Sequence, residues 1–327
     1  MKKKTVKILF QNKFFDPLKK MSSSSSSSSS SPDKFMSYPF PVKSNEEKSI
    51  KPFEHIDSRI SFDEPSHKYY LDSHDESKKK TFSISTTPVA HCVFEHFDPD
   101  AAILAIKRSR AWKAGTHEHQ NKTDEEIKAI WSNSGNLGTI FHARCEALYL
   151  RGEIPDFSTL EEYEKKEFLQ FLKFNHEHVI PKGYLPFRTE WRVYNEELDL
   201  AGSVDMVYLN PKTGNLLVYD WKRTKDLPKT SFGNKKGVWP LEHLPDSKFW
   251  AYSLQLNLYR RMLEQSYGVK VEGMFLVACH EKRDEYLVEE VAVMDEEIQA
   301  LARVRKELLK RGITTMTHED LESVRKM

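Results

Sequence analysis

Between Glu190 and Thr224 three short runs rich in apolar, β-branched and aromatic residues, Glu190–Tyr194, Ser203–Leu209 and Leu216–Thr224, are each predicted to be a β-strand. Asn210 to Asn215 joins the last two and is rich in turn-forming residues, which predicts a hairpin. Ahead of this block, Arg59–Phe62 and Lys68–Leu71 read as a second hairpin, and Thr81–Ser85 alternates strictly, as a third strand would. Helical spacing dominates between the two strand regions. Asp98 with Pro99 starts one helix, carried by apolar residues from Ala101 to Trp112. Thr123, with Glu126 three residues on, starts another that carries Ile127, Ile130 and Trp131. Gly138–Arg151 reads as a separate helix. Glu161–His178 is amphipathic, with Phe168, Leu169, Phe171, Leu172 and Val179 on its packing face, and ends at Pro181 and Gly183. Beyond the central strands come a helix at Trp250–Ser266, strands at Val271–His280 and Tyr286–Val293, and a charged helix at Asp295–Arg311. The expected fold class is α/β: a central mixed sheet flanked by helices, with an N-terminal hairpin and helical extension.

Composition narrows the class. Lys plus Arg number 50 against 49 Asp plus Glu, so any nucleic-acid surface must come from local clustering. The three cysteines, Cys92, Cys145 and Cys279, have no metal-type spacing and point to no disulfide framework. No apolar run approaches the roughly 20 residues that span a bilayer. The expected setting is intracellular, with cytoplasm, nucleus, mitochondrion and viral factory all open, and no membrane contact is expected. Residues 1–57 hold a basic segment and a serine run, Ser22–Ser31, that cannot build a core, and are expected to be a disordered tail. The expected division is then 58–136 as a DNA-contacting strand and helix extension, 137–312 as the core, and 313–327 as a C-terminal tail.

The chemistry concentrates in the central strands. Asp220 and Lys222 are two apart and share a strand face, while Trp221 turns to the other. The hairpin can bring Asp205 beside Asp220. Carboxylates packed together raise each other's cost of ionisation, and a hard divalent cation removes that cost. His142 and Glu146 lie four apart on one helical face. Arg108, Arg110 and Lys113, near Trp112, and Lys225, Lys235 and Lys236, in a segment broken by proline and glycine, are candidate phosphate contacts. Trp112 itself is expected in the core, and the run Lys78–Lys80 as a solvated loop.

Glu190, Asp205 and Asp220-Trp221-Lys222, in that order, resemble the PD-(D/E)XK nuclease superfamily. Gly138-Thr139-Ile140-Phe141-His142 resembles the histidine motif of its RecB-like exonuclease branch, and Gln255 to Tyr259 resembles that branch's QxxxY motif. The resemblance implies a restriction-endonuclease-like core and catalytic roles for Asp205, Asp220, Lys222 and Glu190. It also implies one or two Mg²⁺ or Mn²⁺ ions held by His142, Asp205, Asp220 and the Trp221 carbonyl. Glu190 would help through water or through Lys222. Gln255 would bond near the site, and Tyr259 would touch the DNA backbone. Some relatives hold an iron–sulfur cluster on four cysteines; three cysteines cannot, so none is expected. The implied activity is hydrolysis of DNA phosphodiesters, as an exonuclease on single strands or duplex ends, in replication, recombination or repair. The alternative is a catalytically weak DNA-binding subunit of a larger assembly. No phosphate-binding GxxxxGK[ST] motif is present, so a helicase or recombinase partner would be another chain, and the protein is expected to be a monomer.

Overall fold

The computed structural model describes residues 53–71 and 80–326. The serine run and the rest of 1–52, with Lys78 and Lys79, lie outside the described residues. Ordered structure starts ahead of the expected edge at Ser58. Phe53, only 3% exposed, packs on Trp191 and Tyr267, and α1 (Glu54–Asp57) follows it. Strands β1 (Ile60–Asp63) and β2 (Lys68–Leu71) form the expected antiparallel hairpin. The expected third strand divides. β3 (Lys80–Thr81) pairs with β2, and β4 (Ile84–Ser85) joins the main sheet, because Phe82 between them turns into a buried cluster with Tyr194 and Ala201.

Helix α2 (Thr86–His91) follows directly. The Asp98 carboxylate accepts from the Asp100 and Ala101 N–H groups and caps α3 (Pro99–Arg108). This helix stops four residues short of Trp112, because Ser109 breaks it and caps a new turn, α4 (Arg110–Lys113). Trp112 is half-buried rather than core.

The two helices expected around Gly138 are one, α5 (Asp124–Arg151). A reciprocal Thr123–Glu126 capping box opens it, and Gly152 at φ 67° closes it. Gly135 and Gly138 sit mid-helix with nothing within 4 Å of where a Cβ would stand. Each costs the helix about 1 kcal/mol relative to alanine, too little to break it when both ends are anchored. The anchors are Ile127 at one end and Phe141, Cys145, Leu148 and Tyr149 at the other. Helix α6 (Glu162–Phe174) runs on through a wider turn at Asn175–Val179 and a tight one at Ile180–Lys182 to Gly183.

The central strands are β5 (Leu185–Asn195), β6 (Leu200–Leu209) and β7 (Leu216–Arg223), and β5 and β7 each pair antiparallel with β6. After α7 (Lys248–Ser266), β8 (Val271–Cys279) pairs parallel to β7, and β9 (Leu287–Glu290) closes the edge antiparallel to β8. β7 shows why two helical layers form. Leu217, Tyr219 and Trp221 pack with Phe141, Tyr149, Phe168 and Phe171 of α5 and α6. Leu216 and Val218 pack on the opposite side with Leu254, Leu258 and Met262 of α7. Helix α8 (Asp295–Lys310) joins that second layer through Ile298, Leu301 and Leu308.

Residues beyond Gly312 are not the expected tail. A Thr317–Asp320 capping box starts α9 (His318–Arg325), whose Leu321 is fully buried. No helix among the described residues is long and apolar enough to cross a membrane.

Candidate active site at the strand fork

β6 changes neighbour along its length. Its first residues pair with β4, up to Ser85↔Ala201, and its last four pair with β7, from Met206↔Tyr219 onward. β7 runs on beyond that point, paired with β8 as far as Arg223↔Cys279. Asp205 and Asp220 are therefore the first residues past the last β6–β7 pair, where the strands part. The fork leaves the Trp221 N–H free of β6, and it donates instead to Asp205 Oδ2 at 2.8 Å. The Trp221 side chain goes to the opposite layer, against Phe171 and Phe174. Lys222 returns to the side of Asp220 and pairs with its Oδ2 at 2.6 Å.

Glu190 comes from β5. It stands opposite Asp205, between the pairs Thr189↔Met206 and Trp191↔Val204. Its φ is 46°, a left-handed conformation that is rare for a non-glycine residue inside a strand. Ser203 Oγ donates to its Oε2 at 2.8 Å. Helix α5 supplies His142, whose Nδ1 lies 3.5 Å from Asp205 Oδ2. One ligand atom from each of His142, Glu190 and Asp205 lies within 4.8 Å of the others. The three side chains that converge are thus His142, Glu190 and Asp205, while the Asp220 carboxylate engages Lys222.

The cluster is electrostatically tense. Burial first, then the charge of Asp205, pushes Glu190 up to about 8. Burial raises Asp205 to about 6, opposed by Lys222 and the Trp221 N–H. Asp220 is likewise raised by burial to about 6, with Lys222 opposing. Burial and then the Lys222 charge lower His142 to about 4, so the imidazole is neutral at pH 7. Burial alone would lower Lys222, but Asp220 and Asp205 outweigh it, and the ammonium sits above its ordinary value. A neutral imidazole and convergent, reluctantly ionised carboxylates are suitable donors for a divalent cation such as Mn²⁺ or Mg²⁺.

Helix α7 closes the site. Gln255 Nε2 donates to Thr87 Oγ1 at 3.1 Å and to the Tyr259 hydroxyl at 3.2 Å, and its Oε1 faces Lys222 Nζ at 3.5 Å. Tyr259 does not reach the surface as expected. It is 3% exposed and accepts from Thr86 Oγ1 at 3.0 Å, so it holds Gln255 rather than facing solvent. The chain at Gly202 passes so close that an added Cβ would lie 2.5 Å from Thr86 Oγ1 and 2.8 Å from Tyr259 Cε1.

The basic candidates are elsewhere. Arg108, Arg110 and Lys113 are exposed on α3 and α4. The pairs Lys107–Asp124 and Lys128–Asp100 tie α3 to the first turns of α5. His142 is 18 residues further along that helix from Asp124, about 27 Å at 1.5 Å per residue. Lys225, Lys235 and Lys236 are exposed on the loop after β7, with Lys235 paired to Glu95. The sequence reading passed over Tyr252, whose ring lies beside Lys222. Its signal was available: Tyr252 is one turn before Gln255 on the same helical stripe.

A search of curated proteins finds no match to this sequence. Among solved structures, one that the chain is similar to is a Eubacterium rectale protein to which exonuclease activity is ascribed. The identity is 10% and the TM-score 0.32, with 69% of this chain and 78% of that one covered. A sequence model of the PD-(D/E)XK nuclease superfamily matches residues 107–323, a span that takes in the His142 helix, the fork and the Gln255 helix, and by that match the chain belongs to the PD-(D/E)XK nuclease superfamily.

Proposed function

We propose that this nuclease is a divalent-metal-dependent deoxyribonuclease of the RecB-like branch, acting as an exonuclease on single-stranded DNA or duplex ends, in replication, recombination or repair. The observation that carries the reading is the convergence of His142, Glu190 and Asp205 beside the Asp220–Lys222 pair. His142, Asp205 and Glu190 would hold the cation, with Asp220 and the Trp221 carbonyl as further oxygen donors. The bound ion would acidify a water and offset charge on the scissile phosphate. The protein's own part is electrostatic. In the metal-free protein Asp220 and Asp205 keep Lys222 an ammonium, a form suited to stabilising negative charge that develops on the phosphate or to orienting a water. Gln255 and Asp220 hold that ammonium against the fork. Ser203 fixes one oxygen of Glu190, and neutral His142 keeps a lone pair for the cation. The exposed Arg108, Arg110 and Lys113 are suited to backbone phosphates well away from the cut. The test is cleavage of end-labelled DNA with Mg²⁺ or Mn²⁺ by wild type and Asp205→Asn. Metal-dependent products from wild type, lost in the variant while DNA binding persists, are expected. Binding without cleavage by wild type would instead favour a DNA-binding subunit.

A further inference from the structure

The Lys222 ammonium is enclosed on three sides. Asp220 Oδ2 lies at 2.6 Å, Gln255 Oε1 at 3.5 Å, and the centroid of the Tyr252 ring at 4.5 Å. A cation within about 6 Å of a ring face is attracted by the ring quadrupole, more strongly when water is excluded. Tyr252 is half-buried. His91 of α2 stands edge-on to it, with centroids 6.3 Å apart and planes at 70°. The Tyr252 hydroxyl makes no hydrogen bond among the described residues, whereas its ring faces the ammonium. Residues 252, 255 and 259 recur at i, i+3 and i+7 on α7, so one stripe presents the ring, the amide and the phenol that steadies the amide.

We propose that Tyr252 is a positioning residue for Lys222: its ring face holds the ammonium at the fork, and the hydroxyl is dispensable. The inference rests on the role given to Lys222 above. A lysine stem has four rotatable bonds, and one carboxylate anchors only the charge. The ring and the Gln255 oxygen fix its direction as well. Without the ring, Lys222 would still pair with Asp220 but would sweep a wider arc and meet the phosphate less often in the productive geometry.

The experiment compares wild type, Tyr252→Phe and Tyr252→Leu. Cleavage is measured under single turnover and at steady state, with Mn²⁺ affinity and thermal midpoint alongside. A second readout is the ε-methylene proton shift of Lys222 in protein carrying ¹³C-lysine, assigned by its loss in Lys222→Arg. The phenylalanine variant should keep wild-type kcat. The leucine variant should lose about tenfold to thirtyfold in kcat, with KM and Mn²⁺ affinity little changed. The Lys222 ε-protons should be shifted upfield by the ring in wild type and in the phenylalanine variant, and should move back in the leucine variant. Three results would overturn the proposal: a folded leucine variant with wild-type kcat, a phenylalanine variant as impaired as leucine, or no upfield shift in wild type. If leucine lowers the thermal midpoint, Tyr252→Met, whose longer unbranched side chain adapts to the space of the ring without a π face, replaces it. Wild type that never cleaves would sink the nuclease reading alone, because the proton shift still tests the contact.

Discussion

Glu190 combines three unfavourable features: a left-handed backbone, partial burial, and a second carboxylate opposite. Such features persist where the surrounding fold imposes them, and together they mark the residue as retained for something other than stability. The sign of the pH effect follows. The folded-state value is raised from 4.5 to about 8, so between those limits the folded protein keeps a proton that the unfolded chain releases. Its contribution is therefore fully present below pH 4.5 and is lost as pH rises towards 8 in the metal-free protein. Glu190→Gln should melt higher than wild type without metal, and its advantage should grow over that window. Mn²⁺ should reverse the order, because wild type gains a ligand-bound state that the variant loses. Equal melting curves across pH would contradict this account. Glu190 was visible in the sequence only by position. Its convergence with Asp205 was not, because whether β5 residue 190 faces β6 residue 205 depends on a register that no local pattern encodes.

At the scale of elements, two glycines give opposite expectations. Gly135 lies in an open stretch of α5, so Gly135→Ala should stabilise the protein by about 1 kcal/mol, read from chemical denaturation. Gly202 passes against Thr86 and Tyr259, so Gly202→Ala should destabilise by about 1–3 kcal/mol and also reduce cleavage, through displaced Gln255. Leu321→Ala on α9 should cost about 2–4 kcal/mol, where a frayed tail would lose nothing. The strands β5, β6 and β7, both hairpins and helices α3, α6, α7 and α8 were legible from period and capping residues. The errors have physical reasons. A glycine pair resembles a helix boundary, although tertiary anchors at Ile127 and Phe141 carry α5 through it. Helix α9 is too short for a periodic signal, and its capping box uses Asp320 in place of the usual Glu. The β3–β4 division is set by Phe82 turning inward, a tertiary choice.

At the scale of the whole molecule, the sheet fork, one helix from each face and the strand β5 must all be assembled before the site exists. His142, Glu190, Asp205, Asp220, Lys222 and Gln255 come from five elements, α5, β5, β6, β7 and α7, spread over 114 positions of the chain from first to last. Near-equal totals of acidic and basic residues mean that DNA would be held by local cations rather than by overall charge. Binding should accordingly weaken with salt, and replacing Arg108, Arg110 and Lys113 together should flatten that dependence without abolishing cleavage of short strands. The most direct test of the central claim is the product pattern from end-labelled linear DNA and from closed circular single strands, with and without Mn²⁺, for wild type and Lys222→Ala. The account predicts Mn²⁺-dependent shortening of the linear strand, intact circles, and a loss of at least about 100-fold in the variant. Cleavage that is unchanged in Lys222→Ala, or that needs no divalent ion, would contradict it.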